Sequence, residues 1–119
     1  MSMQFSDITD LATNVRDHYN DLQIADGHKI WTAQDRMAGF VGDVGDLSKL
    51  IMVKNKLRRG PGDIDKELAH ELSDTLWSVI VIADELGINL EKAFTENMDE
   101  LHKRIEREKA DKGLWKRVA

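Results

Sequence analysis

Residues 63–87 read DIDKELAHELSDTLWSVIVIADELG, and this stretch predicts one long helix and much of the fold around it. Asp63 can cap the start of the helix, Gly87 can end it, and apolar residues recur three and four positions apart between them. From Leu76 to Ala83 the helix is apolar nearly all round, so it must be covered on several sides. We therefore expect an all-α fold in which a second subunit covers part of this helix.

Three more helices are predicted around this one. The first runs from about Ser6 to Leu22, the second from Thr32 to about Leu57, and the last begins at Asn89. Gly60-Pro61-Gly62 is the strongest loop signal in the chain. The length of 119 residues predicts a single domain over residues 1–119. Because short connections make neighbouring helices antiparallel, we expect this domain to be an antiparallel helical bundle of about four helices, completed by oligomerisation.

Composition and charge exclude several classes of protein. Of 119 residues, 41% are hydrophobic and 33% are charged, which is typical of a globular domain. The absence of cysteine excludes disulfides, zinc-thiolate sites and thiol nucleophiles. No apolar run approaches the ~20 residues of a membrane span, and no signal-peptide pattern is present, so we expect a cytoplasmic protein without membrane contact.

The net charge of −5 is unevenly distributed along the chain. Basic residues concentrate between Leu47 and Gly62 and again after His102, where residues 108–119 form a basic C-terminal tail. The rest of the chain is strongly acidic, which disfavours binding of a nucleic-acid polymer. Two local basic segments are still compatible with a small polyanion as ligand.

Two pairs of carboxylates share one spacing, Asp43-x-x-Asp46 on the second helix and Glu71-x-x-Asp74 on the third. Residues three apart lie on the same face of a helix, and here each pair borders the apolar stripe. If the chain turns near Gly60, an antiparallel pairing brings the two pairs within about one helical turn of each other. We therefore expect all four carboxylates to converge.

Converging carboxylates repel one another unless a cation lies between them. Their hard oxygen atoms suit Mg²⁺, with Mn²⁺ also possible, and protein-bound Mg²⁺ usually contacts substrate phosphates. The pattern predicts a metal site whose ligands are Asp43, Asp46, Glu71 and Asp74. The alternative is that these pairs are ordinary acids on a solvated helix face.

Four further residues are predicted to bind substrate. Lys54 projects towards the acidic side of the second helix, and Asn97 and Arg104 flank the apolar stripe of the last helix, where they can bind phosphate. Trp31 precedes the second helix, where its ring can stack on a base or simply pack against the bundle. Trp77 projects away from the acids and is expected in the core or in an interface.

The segments that carry the acids resemble the MazG-like group of all-α nucleoside triphosphate pyrophosphohydrolases. The similar segments are FVGDVGDL at 40–47, ELSDTLW at 71–77 and LGINLEKAF at 86–94, and the resemblance covers roughly residues 31–107. It implies Mg²⁺-dependent cleavage of a (deoxy)nucleoside triphosphate between its α- and β-phosphates, which releases the monophosphate and pyrophosphate. It also implies a dimer or tetramer as the active form.

One departure from the family pattern concerns the first acidic motif. The family has two glutamates where this chain has Asp43 and Asp46, which are one methylene shorter. We expect one of these two aspartates to act as the catalytic base that accepts a proton from the attacking water. The alternative function is a non-catalytic nucleotide- or metal-binding helical oligomerisation module in which the first acidic motif has decayed.

Overall fold

A computed structural model describes residues 2–113 of the chain, and this range contains four helices and no strand. The helices are α1 (Phe5–Ala25), α2 (Ala33–Lys54), α3 (Ile64–Glu85) and α4 (Leu90–Asp111). The prediction of an all-α fold with four helices is confirmed. Within the described range, no helix has the length and apolar character needed to cross a membrane.

Short polar residues cap the starts of three of these helices. At the start of α2, the backbone N–H of Thr32 donates to the Asp35 carboxylate at 2.9 Å, and the Thr32 hydroxyl accepts from the Asp35 backbone N–H. Asp63 and Asn89 each accept a hydrogen bond from the backbone N–H three residues further on. The helix starts therefore follow from short polar residues that are visible in the sequence.

Helix α2 ends three residues earlier than predicted, at Lys54 and not at Leu57. Lys56 adopts a left-handed conformation, with φ of 61°, and its N–H donates to the Val53 carbonyl. The N–H of Leu57 donates to the Met52 carbonyl at 2.8 Å, which completes a Schellman-type ending. Glycine is the usual residue at this position, so the lysine gave no sequence signal for the end of the helix.

The chain divides into two compact units at Gly87–Ile88. In the first unit, α2 and α3 form an antiparallel hairpin, and ion pairs join the helices at both of its ends. The Lys54 ammonium lies 2.6 Å from the Asp65 carboxylate near the loop, and the Arg36 guanidinium lies 2.6 Å from the Glu85 carboxylate at the far end. The pairing of an early residue of α2 with a late residue of α3 fixes the antiparallel direction.

Helix α1 packs against α3 in the same unit. The indole N–H of Trp77 donates to the Ala12 carbonyl at 3.0 Å, and the Arg16 guanidinium lies 2.6 Å from the Asp84 carboxylate. Both contacts advance in the same direction along the two helices, so α1 runs parallel to α3. The three helices of the unit therefore alternate in direction.

The core of the first unit centres on the second half of α3. The buried apolar residues within the described range are Ala12, Ile80, Val81 and Ala83. Val81 has no exposed surface, whereas Leu76 and Val79 on the same helix remain exposed. One side of the apolar stretch from Leu76 to Ala83 is thus covered by α1 and α2, while apolar side chains on the other side remain exposed.

The second unit contains α4, which Asn89 caps. Polar side chains four residues apart pair along this helix: the Lys103 ammonium lies 3.0 Å from the Asp99 carboxylate, and His102 Nε2 lies 3.0 Å from the Glu106 carboxylate. The predicted basic tail overlaps the last turn of α4, and residues 114–119 of that tail lie outside the described residues. The assignment of residues 1–119 to a single domain stays a prediction.

Candidate functional site

A cleft of about 570 Å³ lies in the first unit and is lined by residues from all three of its helices. Its aromatic lining comes from Tyr19, Trp31, Phe40 and Trp77, and its acidic lining comes from Asp43 and Asp74. One carboxylate from each acidic motif thus faces the same aromatic space. A flat, partly apolar molecule that carries negative charge and binds a cation is the type of ligand that this combination suits.

The carboxylates of both motifs act on Glu71. Desolvation is the largest cause that raises the pKa of the Glu71 carboxyl, followed by the negative charges of Asp74, Asp43 and Asp46. Asp43 is half-buried and Asp46 is exposed. The structure therefore brings acids from α2 and α3 close enough to interact across the hairpin. The positions of the two motifs relative to the turn predicted this.

The acidic cluster consists of Asp43, Asp46, Glu71 and Asp74. His70 lies beside it and was not predicted from the sequence. Ligand atoms of His70, Glu71 and Asp74 all lie within 4.8 Å of one another, and His70 Nε2 lies 3.2 Å from a carboxylate oxygen of Asp74. The imidazole lowers the pKa of Glu71 and so partly offsets the neighbouring negative charges. Its spacing of four residues from Asp74 was the available sequence signal.

These side chains fit a divalent cation. Carboxylate oxygens are the ligands that Mg²⁺ and Mn²⁺ prefer, and an imidazole next to them is more compatible with Mn²⁺ than with Mg²⁺. The pKa of Glu71 is raised first by desolvation and then by the negative charges of Asp74, Asp43 and Asp46. A cation bound among these groups would remove that repulsion.

Arg36 forms part of the lining of the cleft and joins three helices. Only 6% of its surface is exposed, and its guanidinium donates to Glu85 at 2.6 Å and to the Asn20 side-chain oxygen at 3.2 Å. The same group lies 5.9 Å from the centre of the Trp77 ring. Because Glu85 neutralises its charge, Arg36 serves to hold Trp77 and the helix ends in place.

Trp77 differs from its projected placement. It lines the cleft together with Asp74, three residues before it on the same helix face. Its N–H is bonded to the Ala12 carbonyl, and its ring meets the ring of Tyr19 edge-on at a centroid distance of 6.0 Å. The projection considered only α2 and α3, whereas the cleft also includes α1.

Trp31 lies against the first turns of α2 and also lines the cleft. A Cβ atom at Gly39 would lie 3.3 Å from the Trp31 ring, closer than ordinary contact. Gly39 thus leaves the space that the indole ring occupies beside the helix. The ring packs on the bundle, as one of the two alternatives predicted, and Trp31 also lines the cleft, while stacking of the ring on a base stays a prediction.

The predicted phosphate-binding residues are distributed over both units. Lys54 is paired with Asp65 at the loop end of the hairpin. Asn97 and Arg104 lie on α4 in the second unit, where the Arg104 guanidinium is 3.6 Å from the Glu108 carboxylate. Their role in substrate binding stays a prediction.

An acidic, metal-compatible cluster beside an aromatic cleft on a helical hairpin defines a class of all-α protein. Residues 32–109 match the MazG nucleotide pyrophosphohydrolase domain, and this segment is well over half of the 119 residues. The chain belongs to the MazG nucleotide pyrophosphohydrolase family, and the predicted resemblance is confirmed. No curated protein and no solved structure matches the chain. The matched segment includes both acidic motifs and begins after Trp31 and α1.

Proposed function

We propose that the protein hydrolyses a (deoxy)nucleoside triphosphate between its α- and β-phosphates and releases the nucleoside monophosphate and pyrophosphate. The observation that carries this proposal is the position of Asp43 and Asp74, which belong to the acidic cluster and also line the aromatic cleft. A triphosphate bound at the acids would place its base among the aromatic rings. Membership of the family supports nucleotide pyrophosphohydrolase chemistry in general.

In this proposal, Asp43, Asp46, Glu71 and Asp74 hold Mg²⁺, or alternatively Mn²⁺. The bound cation supplies neutralisation of phosphate charge and a lower pKa for the attacking water. Asp43 and Asp74 fix where the charged part of the substrate lies, since these two side chains line the cleft. Trp31 and Trp77 provide apolar faces for the base, and Lys54, Asn97 and Arg104 are the proposed phosphate contacts.

We assign the role of general base to the first acidic motif. Asp43 is half-buried and lines the cleft, so its carboxylate can accept a proton from water beside a bound phosphate. Asp46 lies one turn further along α2 and is exposed, so its carboxylate is suited to bind the cation from the solvent side of the cluster. We also include self-association in the proposal, because apolar surface of α3 remains exposed.

Pyrophosphate release from a panel of nucleoside triphosphates with Mg²⁺ or Mn²⁺ tests this function. We expect pyrophosphate and monophosphate in equal amounts, and we expect Asp74→Asn to reduce the rate about a hundredfold or more. Asp17→Asn, which removes an exposed acid of α1, is the matched control and should leave the rate unchanged. Nucleotide binding without any pyrophosphate release would favour the non-catalytic module.

The short acids of the first motif provide a second test. If the site is adapted to aspartates, Asp46→Glu should crowd it and reduce kcat about tenfold or more, because small displacements are costly in catalysis. If the motif has decayed, the wild type should be silent and the double variant Asp43→Glu, Asp46→Glu should gain activity. We expect the first result, since both positions retain a carboxylate and the second motif is intact. A silent wild type with an active double variant would contradict the proposed enzyme.

A further inference from the structure

Ser78 on α3 has a hydroxyl group that the rest of the protein leaves unpaired. Only 6% of the residue is exposed, yet its hydroxyl forms no hydrogen bond with any described residue. A hydroxyl inside a helix commonly bonds the carbonyl four residues earlier, as Thr75 of the same helix does with the Glu71 carbonyl at 2.7 Å. Because polar groups in buried positions are nearly always paired, the Ser78 hydroxyl calls for a partner from outside the described residues.

The Ser78 hydroxyl can be reached from the cleft. Ser78 lines the cleft together with Asp74 and Trp77. Among the described side chains that are not exposed, Gln23 Oε1 is the only polar atom that is both unpaired and inaccessible. The unpaired Oγ of Ser78 is therefore accessible, and the cleft is the open space that this residue borders.

The position of Ser78 on α3 relates it to the acids and to the aromatic rings. Ser78 follows Glu71 and Asp74 on the same face of the helix and lies one turn, about 6 Å, beyond Asp74. The neighbouring residue Trp77 belongs to the aromatic lining of the cleft. In a nucleotide, the pentose joins the phosphates to the base. With the phosphates at the acids and the base among the rings, the pentose lies beside Ser78.

We propose that Ser78 is a specificity-determining residue whose hydroxyl forms a hydrogen bond with a hydroxyl group of the nucleotide's pentose. This inference rests on the proposed function for the class of ligand. A serine hydroxyl both donates and accepts, so it can pair with a pentose hydroxyl in either direction. A pentose without that hydroxyl leaves a largely buried polar group unpaired and therefore binds more weakly.

Binding of nucleoside monophosphates in the presence of Mg²⁺ tests this role without any hydrolysis, with tryptophan fluorescence as the readout. The monophosphates of adenosine, guanosine, cytidine and uridine are compared first. The base that binds most tightly is then tested with a 2′-deoxy and with a 3′-deoxy pentose. We expect the wild type to bind the ribose form about fivefold or more tightly than at least one of the two deoxy forms.

Ser78→Ala removes the hydroxyl and adds no atom. We expect this variant to bind the ribose form about fivefold less tightly than the wild type does, while it binds the disfavoured deoxy form at least as tightly. Ser48→Ala makes the same chemical change at an exposed position of α2 outside the cleft and should preserve the discrimination. Replacement of a merely structural serine would instead weaken the binding of both forms equally.

Equal or tighter binding of both deoxy forms by the wild type would overturn the proposal, as would retained discrimination in Ser78→Ala or no binding of any monophosphate. These outcomes are separate from a failure of the proposed hydrolysis. Discrimination that Ser78→Ala abolishes, without any pyrophosphate release, would refute only the enzyme. Pyrophosphate release without discrimination would refute only the role of Ser78.

Discussion

At the scale of single residues, desolvation and like charge act together on the acidic cluster. Desolvation raises the pKa of Glu71, the charges of three neighbouring aspartates raise it further, and the nearby imidazole of His70 offsets part of the effect. A carboxylate placed in such surroundings weakens the fold at neutral pH unless a cation is present. Two measurements of stability follow from this balance.

Divalent metal should raise the melting temperature of the wild type, because an ion that binds only the folded state stabilises it by mass action. Asp74→Asn should remove most of this increase, since it takes a ligand from the set of His70, Glu71 and Asp74. Thermal unfolding with and without millimolar Mg²⁺ or Mn²⁺ measures the effect. The control Asp17→Asn should respond to metal like the wild type, and an unchanged wild-type curve would contradict a metal site.

Glu71 should also leave a signature in the pH dependence of stability without metal. Its folded pKa is raised above the ordinary value of 4.5, so the folded protein binds more protons than the unfolded chain between the two values. The corresponding contribution to stability is present below 4.5 and is lost as pH rises through the raised pKa. Glu71→Gln removes this contribution, so its stability relative to the wild type should improve from acidic to neutral pH. Parallel curves of the free energy of unfolding against pH for the two proteins would contradict this prediction.

At the scale of helices, the α2–α3 hairpin depends on a pair of charges at its far end. Arg36 and Glu85 are both largely buried, with 6% and 19% of their side-chain surface exposed, and their side chains are 2.6 Å apart. A buried pair of this kind adds little net stability as a pair, but removing one partner strands the other charge. The pair therefore makes the antiparallel register of the hairpin specific.

Arg36→Met should lower the free energy of unfolding by about 3 kcal/mol, because it leaves the Glu85 carboxylate buried without its cation. The double variant Arg36→Met, Glu85→Met should recover most of this loss, since no charge then remains buried. Urea unfolding with an unchanged m-value measures both. Lys54→Met breaks the exposed pair with Asp65 at the other end and should cost less than about 1 kcal/mol. Equal losses at the two ends would contradict this account.

Helix type and helix starts could be predicted from the sequence because periodicity and capping are local properties. The end of α2 could not, because Lys56 adopts a conformation that lysine rarely takes. The acids of the candidate site could also be predicted from the sequence, since their spacing and their similar distances from the turn of the hairpin follow from helical geometry. The burial of Arg36 could not be predicted, because its contact with Asn20 depends on how α1 packs against the hairpin.

At the scale of the whole molecule, many large apolar side chains of the described residues remain exposed. Leu72 and Leu76 on α3 are 55% and 51% exposed, although the sequence favours a covered helix. Exposed apolar side chains grouped on one helix are typical of protein–protein contact surfaces. This surface is the physical basis for the proposed self-association.

We expect the protein to sediment as a dimer or a larger complex at micromolar concentration. Leu76→Lys should shift it towards the monomer, because a charge placed in a contact surface must be desolvated on association. Leu57→Lys changes a leucine that is exposed in the loop after α2 and should leave the assembly unchanged. A wild-type species of 13.6 kDa would contradict the proposed self-association.

The cleft takes its acids from the hairpin and much of its aromatic and amide lining from α1 and Trp31. The segment that matches the family begins at residue 32, so these two contributions lie on opposite sides of that boundary. Mutations in α1 can therefore change which molecules are accepted while every carboxylate stays in place. Descendants of such a chain could acquire new substrates by drift in one peripheral helix and keep the inherited chemistry, which makes α1 the natural segment to randomise in a library.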